Sequence, residues 1–125
     1  LKNINKIHSL KTGRLIECSV MLGQINNNDD KIKKILYSFG KKIGLAFQIT
    51  DDILEATSDQ NTLGKNNNSD LKNNKSTYIK VTGLKEAKSK SHELSFSAIK
   101  SLDELKMTET NMLIELAKYI SYREK

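Results

Sequence analysis

Proline is missing from all 125 residues, tryptophan is missing as well, and cysteine occurs once, at Cys18. An average chain carries about 5% proline. Without it no helix interior loses an N–H or suffers the ring clash that breaks helices, so uninterrupted helices are favoured over turn-rich β structure. A lone cysteine cannot close an internal disulfide, and no Cys/His group has zinc spacing. The thiol is expected as a small buried apolar side chain. Aromatic residues are sparse at 6%, and apolar residues total 37%. Globular chains average roughly 45–50% with glycine counted, so a core here depends on placement rather than abundance. No run approaches the roughly 18–20 apolar residues of a membrane span, and no secretory leader is visible. These absences describe one modest all-α domain over residues 1–125, at home in a reducing cytoplasm.

What is present is charge, with a formal balance of +6. A basic chain raises the question of nucleic acid. Lysines 31, 33, 34, 41 and 42, however, share their stretch with Ile32, Ile35, Leu36, Phe39 and Ile43 at helical spacing. The solvated face of an amphipathic helix accounts for them without a nucleic-acid partner.

Apolar periodicity divides the chain into four helical stretches. Ile4, Ile7, Leu10, Leu15, Ile16, Val20 and Leu22 predict a helix over 3–22, with Gly23 at its end. Asp29 or Asp30 is placed to cap a second, long helix over 31–57. Gly40 and Gly44 stand four apart inside it, each costing about 1 kcal/mol against alanine, which predicts a close approach of another helix. Residues 58–78 form a long polar loop. Leu84, Ala87, Ser91, Leu94, Ala98, Leu102 and Leu105 carry a third helix; Met112, Leu113, Leu116, Tyr119 and Ile120 carry a fourth. Leu1 falls inside a segment that already reads as helix, so the chain is expected to be a piece of a longer one.

The chemistry concentrates in Phe47-Gln48-Ile49-Thr50-Asp51-Asp52-Ile53-Leu54-Glu55. On a helix, positions 48, 51, 52 and 55 share a face opposite the apolar stripe. Two carboxylates about 6 Å apart repel by roughly 3 kcal/mol at an effective dielectric of 20. The negative end of the helix dipole adds to the conflict. Two readings fit the spacing: a hard divalent cation, or a solvated acidic face paired with lysines. Basic residues stand where a phosphate would need them, at Lys11 in Lys11-Thr12-Gly13 and at Lys65, Lys72 and Lys75 after the carboxylates. No Gly-rich nucleotide loop occurs.

The segment Phe47–Glu55 resembles the second aspartate-rich motif of the trans-isoprenyl diphosphate synthases, the farnesyl and geranylgeranyl diphosphate synthase family. Ile7–Gly13, Leu63-Gly64-Lys65, Lys75-Ser76-Thr77-Tyr78 and the basic ending Tyr119–Lys125 resemble other blocks of bacterial short-chain members, in the same order. Three positions depart from the pattern: Glu55 replaces an aspartate, Ile79 a proline and Asn68 a glycine.

The resemblance implies the C-terminal portion of an isoprenoid-synthase-type helical bundle. It implies condensation of an allylic diphosphate with isopentenyl diphosphate to farnesyl or geranylgeranyl diphosphate, in a parent expected to be a homodimer. The implied cofactor is Mg²⁺, with Mn²⁺ as a substitute: Asp51 ligates one ion directly, and Asp52 and Glu55 hold its waters. Lys11 and Lys65 bind the allylic diphosphate, Thr12 and Gln48 flank the allylic cation, and Lys75 closes the loop. Arg123 and Lys125 cover the isopentenyl pocket. The family's first aspartate-rich motif is absent from these residues, so the 125-residue polypeptide by itself is expected to be inactive. Lacking half its bundle, it is also expected to expose the apolar stripe of 31–57 and to self-associate. A second reading is a non-catalytic helical module that binds diphosphate or a partner synthase subunit.

Overall fold

The computed structural model describes residues 2–26, 28–62, 77–105 and 110–123, with the side chains of 8, 9 and 59–62 set apart. Among them there are helices and turns and no strand. Helix α1 spans Lys2–His8 and α2 spans Arg14–Leu22. Between them Ser9–Gly13 forms a π-helical turn. The single helix expected over 3–22 is thus interrupted, and the wider turn falls on the lysine-threonine-glycine segment. Such π turns favour functional positions, because the extra residue re-aims the side chains around it.

Helix α3 runs for 33 residues, Asp30–Thr62. Asp29 caps it, its Oδ1 accepting from the Lys31 N–H at 2.7 Å and the Ile32 N–H at 3.3 Å. Helix α4, Tyr78–Thr82, is a short element that the apolar pattern did not reveal. Gly83, at φ 85° and ψ 159°, turns the chain from α4 into α5, Leu84–Asp103. That backbone region is nearly closed to any other residue. Helix α6 spans Asn111–Tyr122. No described helix is long and apolar enough to cross a membrane.

Two apolar clusters hold the bundle. One joins Ile35, Phe39, Ile43 and Ala46 of α3 to Ala98 and Leu102 of α5 and to Ala117 and Ile120 of α6. The other joins Ile49 and Ile53 to Ile4, Tyr78 and Ala87. Helix α3 therefore runs through the middle, and its stripe is covered within this chain rather than exposed as expected. The large exposed apolar residues lie elsewhere, among them Leu10, Leu15 and Leu22 before α3 and Met112, Tyr119 and Tyr122 on α6.

The glycine pair behaves as the spacing predicts. A Cβ on Gly40 would sit 3.1 Å from the Cα of Glu17, and one on Gly44 would sit 2.8 Å from the Cα of Gly13. These contacts lay α2 and the π turn directly on α3. Cys18 is free and exposed, not buried. Its neighbours Val20 and Ile16 face the core instead.

Candidate functional site

The Gly13–Gly44 contact fixes the geometry of the site. It seats the π turn bearing Lys11 and Thr12 against α3 one turn before Gln48, through backbone rather than through flexible side chains. Lys11 is exposed and Thr12 half-buried.

Along α3 the four polar positions do not share one solvated face. Gln48 is 2% exposed, and its Nε2 has no hydrogen-bond partner among the described residues. Helices pack on α3 from several sides here, so the covered arc is wider than a single stripe. Thr50 is buried too, its hydroxyl 2.7 Å from that of Ser91 on α5, where either can donate. This pair ties the acidic turn to α5, and no sequence motif had singled it out.

Asp51 and Asp52 stay half-buried and diverge. Asp52 Oδ2 accepts from the Tyr78 N–H at 2.6 Å. It thereby anchors the start of α4, 26 residues further along the chain, to the acidic segment. Asp51 Oδ1 accepts from Arg123 Nη2 at 2.9 Å. The guanidinium carbon lies 4.4 Å from the Phe47 ring centroid, so Arg123 is held by a carboxylate and an aromatic face one helical turn apart. Arg123, expected over an isopentenyl pocket, thus sits on the first carboxylate of the motif. Apolar periodicity carries no signal for that contact, which joins residues 72 apart in sequence. Glu55 is exposed. Lys65, Lys75 and Lys125 lie outside the described residues.

Among the described residues no three His, Cys, Asp or Glu side chains converge as a ready-made metal cage. The donor chemistry still suits magnesium: hard carboxylate oxygens on consecutive turns, with Asp51 48% exposed at its side chain. That ion commonly takes one or two carboxylates and completes its shell from water and phosphate. Calcium, which wants six to eight oxygens, is less well served.

A family model described as polyprenyl synthetase matches residues 1–116. The chain is 39% identical to farnesyl diphosphate synthase of Escherichia coli (strain K12) over 129 residues, covering 100% of this chain and 43% of that protein. It is 40% identical to the chloroplastic geranylgeranyl pyrophosphate synthase of Catharanthus roseus over 126 residues, covering 99% of this chain and 35% of that one. A crystal structure from Marinomonas sp. MED121, described as a candidate farnesyl-diphosphate synthase, superposes with a TM-score of 0.77 at 32% identity. The superposition covers 97% of this chain and 40% of that one. The chain thus spans between 35% and 43% of the length of these three proteins. The family match over residues 1–116, and the agreement in fold and sequence behind it, mean that this chain belongs to the polyprenyl synthetase family.

Proposed function

We propose that this chain forms the diphosphate-activating wall of a Mg²⁺-dependent trans-prenyltransferase making farnesyl or geranylgeranyl diphosphate. The observation that carries this reading is the backbone contact of Gly13 with Gly44. It puts a lysine-bearing π turn beside the helix that displays Asp51, Asp52 and Glu55. An acidic face alone would suit any surface; an acidic face with a cation fixed next to it suits a metal-bound diphosphate.

The reaction in this reading breaks the allylic C–O bond, and diphosphate leaves with the electron pair. The π electrons of isopentenyl diphosphate form the new C–C bond, and a proton is lost from the resulting cation. Asp51 would hold a magnesium ion directly, with Asp52 and Glu55 holding its waters, and Mn²⁺ serving as a substitute. The metal, when bound, supplies neutralisation of the leaving diphosphate. Lys11 and Lys65 contribute positive charge at the same anion, and Lys75 closes over it. Thr12 and Gln48 turn oxygen dipoles toward the allylic cation, and the unpartnered Gln48 amide nitrogen is a donor that a substrate oxygen would satisfy. Isopentenyl and allylic diphosphates as substrates, a homodimeric parent and a cytoplasmic location complete the reading.

The test is Asp51→Ala in the full-length parent. Mg²⁺-dependent turnover should fall by roughly three orders of magnitude, the scale reported for removing a main electrostatic stabiliser. Far-ultraviolet circular dichroism should stay unchanged, because Asp51 is half-exposed. Turnover within threefold of the parent would refute the assignment.

A further inference from the structure

At the end of the bundle away from the acidic segment, a cavity of about 370 Å³ opens between the ends of α2 and α5 and the starts of α3 and α6. At a rise of 1.5 Å per residue, Leu36 in its wall lies roughly 22 Å along α3 from Asp51, so this space is separate from the proposed reaction. Its volume falls within the roughly 300–1,000 Å³ of small-molecule sites. Ile32, Leu36, Leu105 and Leu113 line it, and Leu22 and Ile25 stand beside them with more than half their surface exposed. Charged residues make up 29% of the sequence, yet none is among the described residues lining this cavity. Such a lining favours an apolar guest and disfavours an ion, whose lost hydration no wall residue would repay.

Gln24 points to the polar end of that guest. It lines the cavity and is 7% exposed, and its Nε2 donates to Met21 Sδ at 3.3 Å. A thioether accepts and cannot donate, so the amide nitrogen faces Met21 and the atom left over is an acceptor. That atom, Oε1, is buried with no hydrogen-bond partner. Buried polar atoms are rarely left so in folded proteins, because the lost hydration is not recovered. The terminal torsion of glutamine is broad, and a modest rotation turns Oε1 toward the cavity. An amine would bring a charge that the lining cannot offset, and a carboxylate or an ether has no proton to give.

We propose that this cavity binds a neutral aliphatic alcohol. The hydroxyl donates to Gln24 Oε1, and the hydrocarbon chain lies on Leu36, Leu105 and Leu113.

The full chain, labelled with nitrogen-15, is titrated by nuclear magnetic resonance with octanol, with heptyl methyl ether, which matches it in size but lacks a donor, and with octanoate. Octanol should give saturable shifts at the Gln24 side-chain amide and at the backbone of Leu36 and Leu105. The ether and the carboxylate should each bind at least about threefold more weakly, the lower end of a lost hydrogen bond. Gln24→Leu should weaken octanol about threefold to tenfold and remove its preference over the ether. This variant exchanges a buried polar side chain for an apolar one of similar size, and circular dichroism checks its fold; the comparison of alcohol with ether on the parent stands without it. Phe96→Ala, which removes an exposed ring elsewhere, should leave octanol binding within twofold, as general adsorption to apolar surface would not. The proposal is overturned if octanol gives no saturable shift at these residues, or if the ether binds the parent as tightly. It is overturned too if Gln24→Leu keeps the full preference for the alcohol, or if octanoate binds more tightly than octanol.

Discussion

Gly44→Ala probes the contact on which the site rests. A methyl group at Gly44 would lie 2.8 Å from both the Cα and the carbonyl oxygen of Gly13. Comfortable non-bonded contact begins near ~3.5 Å, so the π turn and α3 must part by roughly 0.7 Å. Both sides of the clash are backbone, and no rotamer change relieves it. Over-packing of this kind costs about 1–3 kcal/mol, against which alanine returns up to ~1 kcal/mol of helix propensity. The net loss is about 1–2 kcal/mol, or a fall in Tm of roughly 3–8 °C for a chain of this size. Gly23→Ala is the control. There the added Cβ stands 3.5 Å from the Val20 carbonyl oxygen, and φ is −61°. It should hold or raise Tm, with a gain of ~0.4–1 kcal/mol. Scanning calorimetry of the two variants beside the parent decides the matter. If Gly44→Ala melts at or above the parent, the helices are not in backbone contact, and the seating of the π turn against α3 is wrong.

Three other perturbations follow from the same turns of α3. Asp52→Ala should free the Tyr78 N–H from its 2.6 Å bond and speed amide exchange across Tyr78–Thr82, while Asp52→Asn, which keeps an acceptor, should preserve most of the protection; equal exchange in both would exclude the anchor. Arg123→Gln should cost about 1–2 kcal/mol, the half-exposed pair with Asp51 and the contact with the Phe47 ring both being lost. Relieved of its competitor, Asp51 should bind Mn²⁺ roughly threefold more tightly by electron paramagnetic resonance, the factor that ~0.7 kcal/mol carries; an unchanged affinity would show that the pair does not oppose the metal. Tyr78 is held above the ordinary tyrosine value of 10.0, chiefly because burial disfavours the phenolate; Lys90 opposes the shift, and Glu86 and Glu93 add to it. The folded state therefore keeps its proton where the unfolded chain gives it up. The contribution is complete below pH 10 and fades as pH rises through the folded value. Tyr78→Phe should flatten the alkaline limb of a stability–pH curve, and an identical slope would place the titration elsewhere.

The parts of this fold legible in the sequence are those written in short-range periodicity. The apolar stripe of 31–57, the glycine pair and the third and fourth helices all rest on spacings of three and four, and the cap is narrowed to Asp29 or Asp30. Local geometry decides them. What the pattern missed depends on partners distant in the chain. Ile4–Leu22 reads as one helix because a π turn adds only a single residue to the register, too little to disturb an apolar count. Gln48 reads as solvated because its wheel position faces away from the main stripe, and only the packing of further helices buries it. Helix α4 has five residues, too few to show a period, and is fastened by an aspartate 26 residues away.

The acidic segment shows why residue types are more legible than roles. Asp51 and Asp52 are neighbours with the same chemistry, yet one accepts from an arginine side chain and the other from a backbone N–H. Successive positions on a helix differ by about 100°, so adjacent carboxylates must address different surroundings. A cation at Asp51 would have to compete with the guanidinium of Arg123, a side chain rather than the backbone of a helix. A cation at Asp52 would have to compete with the N–H of Tyr78, and hence with the placement of α4. The first competition is a local exchange of counter-charge; the second couples the carboxylate to the position of a helix. In the proposed reading Asp51 is for that reason the position better suited to direct ligation, and Asp52 the one whose loss should be felt in structure.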